Sequence, residues 1–170
     1  IIKNPDKFIS VWIFNNPQSY ESINNIFPVK RNSLKHFFYR FTSKVIICNM
    51  TDEVYLPKRA EQIIINTWHA GGAYKRVGLS YNSSHSKASI WQDKILNFET
   101  SYYISSSKLF TQYNIHEAYG YTGKVLEIGM PRNDIFFDSP KMEVQTEILR
   151  KDFNVLDKVI ILSCHMLAFE

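Results

Sequence analysis

Ile63-Ile64-Ile65-Asn66-Thr67-Trp68-His69-Ala70-Gly71-Gly72-Ala73-Tyr74-Lys75-Arg76-Val77-Gly78 runs from an apolar strand into a loop dense with reactive side chains. Three successive β-branched residues suit a strand of a sheet covered on both faces. A strand over Gln62 to Trp68 is therefore predicted. It breaks at Trp68 and His69, which puts a titratable ring at the carboxyl edge of a sheet, where ligands of open α/β sheets sit. Gly71 and Gly72 allow close backbone approach to a ligand, and Lys75 and Arg76 point to an anionic one.

Outward from this run, the chain alternates strands with helices. Upstream, Phe8 to Phe14 reads as a strand ended by Asn15-Asn16-Pro17, and Tyr20 to Ile26 is short and weakly patterned. Ser33 to Ser43 carries Leu34, Phe37, Phe38 and Phe41 at helical spacing with Ser33 as a candidate N-cap. Lys44 to Cys48 is a strand, and residues 49 to 58 form a polar loop. Downstream, Ser86 to Phe98 reads as helix, Tyr102 to Ile104 as strand, Ser105-Ser106-Ser107 as a turn and Lys108 to Tyr113 as helix. Lys124 to Ile128 is a strand entering Gly129-Met130-Pro131-Arg132-Asn133-Asp134. Met142 to Phe153 is an amphipathic helix with Val144, Ile148, Leu149 and Phe153 on one side, and Lys158 to Leu162 is a last strand. This alternation predicts βαβ units and an α/β fold with a Rossmann-like, largely parallel sheet.

The 170 residues suffice for one domain with a core, and 45% hydrophobic with 21% charged residues is ordinary for a globular chain. The chain opens on Ile1 rather than Met, and its last strand stands near its end. Both features suggest part of a longer protein with a second domain. A net charge of +4 admits anionic substrates, a membrane surface or nucleic acid and does not choose among them. No apolar run approaches the roughly 20 residues of a membrane span. Cys48 and Cys164 lie in or beside apolar strands and read as reduced core thiols.

Several strand ends carry polar sets, which a parallel sheet brings to one edge. Histidine titrates close to neutrality, so His69 suits a general base; the commoner meaning of such a histidine is a cap on the next helix or packing on Trp68. Gly71, Gly72 and Gly78 match neither the dinucleotide fingerprint nor the P-loop, and a plain tight turn is the commoner meaning of such a pattern. Lys75 and Arg76 either clamp phosphate or begin a solvated helix. Ser105 to Ser107 either present hydroxyls and N–H groups to an anion or cap a helix. Arg132, between a proline and a helix-capping Asn133-Asp134 pair, either binds phosphate bidentately or pairs with Asp134. His36, His85, His116 and His165 share no ligand spacing with His69 or a cysteine, which argues against zinc.

Three of these motifs, in this order, resemble the CDP-glycerol glycerophosphotransferase family, which polymerises polyol phosphates in teichoic acids and related capsules. They are Asn66-Thr67-Trp68-His69-Ala70-Gly71-Gly72 with Lys75, then Tyr103-Ile104-Ser105-Ser106-Ser107, then Gly129 to Asp134. Ser43 to Asn49 also looks like the family's strand before the Trp-His motif, and the resemblance extends from about Ser33 to Leu162. Ala70 departs from the family's usual glycine after His. Ser163-Cys164-His165-Met166 stands where the family continues with a Pro-Thr-Phe-Arg-like segment.

The resemblance implies a two-domain GT-B arrangement, with residues 1–157 as its N-terminal, acceptor-side Rossmann-like domain and 158–170 as the opening strand of a truncated C-terminal CDP-polyol domain. It implies transfer of a polyol phosphate, glycerol phosphate first, from CDP-glycerol or CDP-ribitol to the hydroxyl end of a polymer or lipid-linked primer, releasing CMP. His69 would be the catalytic base. Gly71, Gly72, Lys75, Arg76, Ser105, Ser106, Arg132, Asn133 and Asp134 would hold substrate and phosphate. No cofactor is implied, and a metal ion is left open. The protein would work at the inner face of the cell membrane as a peripheral protein, without nucleic acid, and the 170 residues alone would be inactive. Two other readings stand beside it: a GT-B glycosyltransferase using a nucleotide sugar, and a non-catalytic polyanion-binding module.

Overall fold

Four parallel strands taken in chain order, β3-β4-β5-β6, form the principal sheet: β3 Val45–Cys48, β4 Ile63–Asn66, β5 Tyr102–Ile104 and β6 Lys124–Leu126. A computed structural model describes residues 8–20, 26–49, 57–72, 76–80, 86–137 and 139–152. The expected strand Lys158 to Leu162 and domain boundary at 157/158 lie outside the described residues, as do Lys75, His85, Cys164, His165 and Phe153. The chain divides into two compact units, Ile1–Gly129 and Met130–Glu170.

In the first unit, the sheet is asymmetric. Partners in register on parallel strands share a face, so Ile64, Asn66 and Tyr103 line one side and Val45, Ile47, Ile63, Ile65 and Tyr102 the other. The first side is dry: Ile64, Asn66 and Tyr103 are buried. It is covered by the crossover after β5, whose Tyr121 ring lies 4.8 Å from that of Tyr103. On the other side, Ile47 is 60% exposed. The isoleucine run is thus fully buried at Ile64 and only half-buried at Ile63 and Ile65, rather than covered on both faces as expected.

Among the described residues, helices stand before β3, before β5 and between β5 and β6, as the alternation predicts. Helix α1 (Leu34–Thr42) is capped by Ser33, whose hydroxyl accepts the His36 N–H at 3.2 Å. Its buried residues are His36 and Arg40, whereas Leu34 is 89% exposed and Phe38 is also exposed. The apolar stripe therefore does not mark the packed face. The reason is Gln62, which leads into β4 and is itself buried. Its Oε1 accepts from Arg40 at 3.1 Å and its amide donates to the carbonyls of Arg40 and Ser43. This polar clamp docks α1 by its last turn.

Helix α2 (Lys87–Glu99) precedes β5, and α3 (Lys108–Phe110) is a single turn that widens into a π-helix over Thr111–Ala118. Phe110, Asn114, Ile115 and Ala118 are buried there. Gly78, at φ +54°, lies against this segment; a Cβ on it would come within 2.3 Å of the Ala118 carbonyl oxygen. Only glycine accepts both the left-handed backbone and the close approach.

A separate parallel pair, β1 (Val11–Phe14) and β2 (Phe27–Lys30), stands before α1. Strand β2 contains Pro28 and escapes the sequence pattern; a two-stranded sheet has open edges that tolerate a missing N–H. In the second unit, Pro131–Phe137 is a 3₁₀ segment and α4 is Ser139–Asp152, three residues earlier than expected. Val144 and Ile148 of α4 are both exposed.

Candidate active site at the carboxyl edge of the sheet

Because the four strands run parallel, their carboxyl ends open onto one edge, and hydrogen bonds join the loops there in sequence. Thr67, just past β4, donates its N–H to the Cys48 carbonyl at 2.9 Å. The Ser106 hydroxyl, past β5, donates to the Gly71 carbonyl at 2.6 Å. Gly129, past β6, donates its N–H to the Ser105 carbonyl at 3.0 Å. Gly129 holds φ +85°, which a side chain would strain.

His69 is exposed at this edge, and its Nδ1 lies 3.1 Å from the Asn49 carbonyl oxygen, just past β3. A carbonyl oxygen only accepts, so Nδ1 carries the proton of the neutral ring and Nε2 keeps a lone pair. That is the tautomer of a ring that can take a proton through Nε2. The ring also packs on Trp68, with centroids 4.4 Å apart, and Trp68 in turn meets Tyr119 at 4.8 Å. Of the readings raised by the sequence, packing on Trp68 and proton transfer are thus compatible with one placement.

The serine turn divides its labour. Ser107 caps α3, accepting the Phe110 N–H at 3.2 Å. Ser105 is wholly buried, with its Oγ 2.9 Å from the Ser107 carbonyl and 2.8 Å from Thr111 Oγ1. Thr111 also reaches Glu127 Oε1 at 2.7 Å. Ser106 is the member that faces the glycine loop.

A comparison of the whole sequence with protein families decides what this edge belongs to. The family described as CDP-glycerol:poly(glycerophosphate) glycerophosphotransferase matches residues 1–163. The chain belongs to this family. A teichoic acid poly(glycerol phosphate) polymerase of Staphylococcus epidermidis is 27% identical over 158 residues, covering 89% of this chain and 22% of that protein. Among solved structures, the wall teichoic acid polymerase TagF with a histidine replaced by alanine superposes with a TM-score of 0.75 at 24% identity, over 91% of this chain and 39% of TagF. A TagF variant soaked with CDPG gives a TM-score of 0.72 at 23% identity, over 86% of this chain and 37% of that one. These superpositions establish a shared fold. The chain spans about a fifth of the curated relative and about two fifths of TagF.

For a member of this family, the remaining sequence candidates fall as follows. Gly71 is exposed, Gly72 half-buried and Arg76 exposed. Arg132, Asn133 and Asp134 belong to the second unit and are exposed. The Asn-Asp pair lies inside the 3₁₀ segment, with Asn133 N–H donating to the Met130 carbonyl at 2.8 Å, instead of capping α4. His36 Nδ1 accepts the Asn32 N–H, and His116 pairs with the Tyr121 carbonyl, so both serve local turns. Among the described residues, no three of His, Cys, Asp and Glu gather to hold a metal ion, and no helix is long and apolar enough to cross a membrane.

Three residues at the edge are not among the site residues read from the sequence: Asn49, and Asn66 and Tyr103, which only open two of the quoted motifs. Asn66 is wholly buried; its Oδ1 accepts the Trp68 N–H at 2.9 Å and its Nδ2 donates to the Tyr103 hydroxyl at 3.1 Å. A lone amide closing an isoleucine run was the available signal. Burial raises the pKa of Tyr103, and also of Tyr119 and Tyr121, so these hydroxyls keep their protons.

Proposed function

We infer that the chain is the acceptor-side, N-terminal Rossmann-like part of a GT-B enzyme that transfers glycerol phosphate from CDP-glycerol to the hydroxyl end of a teichoic-acid-like or capsular polymer. Its boundary with the donor domain falls near residue 158. Family membership supports the reaction class, and the observation that carries the site is His69 at the carboxyl edge, with Nδ1 on the Asn49 carbonyl.

In the reaction, the acceptor hydroxyl oxygen bonds to the β-phosphorus of CDP-glycerol while its proton passes to His69 Nε2. The phosphoanhydride bond breaks and CMP leaves with the bonding electrons. Charge gathers on the transferring phosphate, so cations and N–H groups supply most of the catalysis. Lys75 and Arg76 are proposed for that role, with Gly71, Gly72, Ser105 and Ser106 as further substrate-binding residues, and the family resemblance assigns Arg132, Asn133 and Asp134 to phosphate as well. CDP-ribitol is the donor to compare. A net charge of +4 and the exposed aromatic face of α1 support a peripheral place on the inner face of the membrane.

The test supplies the complete gene product with radiolabelled CDP-glycerol, CDP-ribitol or a UDP-sugar, each with a lipid-linked glycerol-phosphate primer. Label entering polymer from CDP-glycerol, with one CMP released per unit, is expected. Transfer from a UDP-sugar alone would overturn the reading in favour of a glycosyltransferase, and primer binding without transfer from any donor would favour a polyanion-binding module.

A further inference from the structure

Trp68 holds a φ of +53°. A bulky side chain in the left-handed region is costly, and such a backbone persists only where its surroundings impose it. The imposing contacts can be traced. On one side, Thr67 is fixed to the Cys48 carbonyl through both its N–H and its hydroxyl. On the other, the Trp68 N–H is taken by Asn66 Oδ1.

An amide has one accepting end and one donating end, and something must set which way round it lies. Here that is the Trp68 N–H, which can only donate and so takes Oδ1; Nδ2 is left to donate to the hydroxyl oxygen of Tyr103, the register partner of Asn66 on β5, which anchors the amide's other end. Both residues are buried to 1% exposure or less. Were the amide reversed, Nδ2 would face the Trp68 N–H, two donors in a dry interior, and the bond that holds the turn would be lost.

Residue 69 leaves this turn with its ring against Trp68 and its Nδ1 on the Asn49 carbonyl. The geometry points to Asn66 and Tyr103 as a positioning pair: they lock the Trp68 peptide in its left-handed turn and thereby hold His69 in the one tautomer whose Nε2 can receive the acceptor's proton. This rests on the reading of His69 as the base and deepens it. Neither residue touches substrate, since both lie inside the sheet; they act through the peptide between them and the histidine.

The test reads the ring itself. Long-range ¹H–¹⁵N spectra of the protein, with His69→Gln to assign the signals, report which nitrogen of His69 is protonated. In the unmodified protein, Nδ1 is protonated and Nε2 is not. Tyr103→Phe, which keeps the aromatic ring, and Asn66→Ala both move the His69 signals toward the averaged pattern of a free imidazole. Both lower turnover about 10- to 100-fold with the KM for acceptor little changed. Tyr121→Phe is the control: it also loses a buried tyrosine hydroxyl, one within reach of the Thr100, Ser101 and Lys124 carbonyls, and leaves the His69 signals in place. If Asn66→Ala does not fold, Tyr103→Phe decides. Unmoved His69 signals in the folded variants, or an equal movement in Tyr121→Phe, would overturn the pair. Undiminished transfer in His69→Ala would instead overturn the base reading, whatever the spectra show.

Discussion

The Ser106 hydroxyl and the Gly71 carbonyl meet at 2.6 Å, tying the turn after β5 to the glycine loop after β4. Ser106→Ala removes this tie without disturbing the buried Ser105. The bond is solvent-accessible, so its loss costs at most about 1 kcal/mol of stability. The expected result is faster amide hydrogen exchange from Ala70 to Gly72 and a roughly tenfold fall in turnover, because loop misplacement is costly to transfer. Exchange rates measured beside urea melts separate the local effect from the global one.

Gly78→Ala is expected to destabilise by more than about 2 kcal/mol, combining a left-handed backbone with a methyl group driven into the Ala118 carbonyl. A lower urea midpoint at unchanged slope would show it. Gly120, also left-handed at φ +66° but with its nearest neighbour 3.6 Å from a built Cβ, is expected to cost less on the same change.

Thr111→Val keeps the shape of the side chain and deletes a hydroxyl within reach of Ser105 and Glu127. Glu127 is exposed and regains water, and Ser105 keeps its Ser107 partner. The loss is therefore expected near 1 kcal/mol by equilibrium denaturation.

Burial holds the Tyr103 proton more tightly in the fold than in the unfolded chain. The stabilising difference is fully present below the ordinary tyrosine range, near pH 10. Above it, the unfolded chain releases a proton that the native state keeps, so stability falls as pH rises, by about 1.4 kcal/mol per pH unit from Tyr103. Denaturation between pH 9 and 11 should show this decline, and Tyr103→Phe should make it shallower.

The parallel sheet was legible because an isoleucine run and the strand–helix alternation carry their own period. Four of the sheet's boundaries, around Val45, Ile63, Tyr102 and Lys124, follow from it directly. The packed faces were not legible. Helix α1 buries Arg40 because Gln62, 22 residues on, offers a matched set of amide bonds, and no helical pattern encodes a distant partner. Strand β2 hid behind Pro28 for a similar reason, since pairing with β1 outweighs local propensity. At the edge, His69 and the serine turn announced themselves by residue type. Asn49 did not, because it contributes its backbone carbonyl, which every residue possesses.

Whether His69 takes the acceptor's proton at this edge is decided by CMP release from CDP-glycerol in the presence of a lipid-linked primer, comparing the complete gene product with its His69→Ala variant. Release by the unmodified protein and a loss of at least about 100-fold in the variant are expected, with primer binding retained. Equal release by both would rule out His69 as the base.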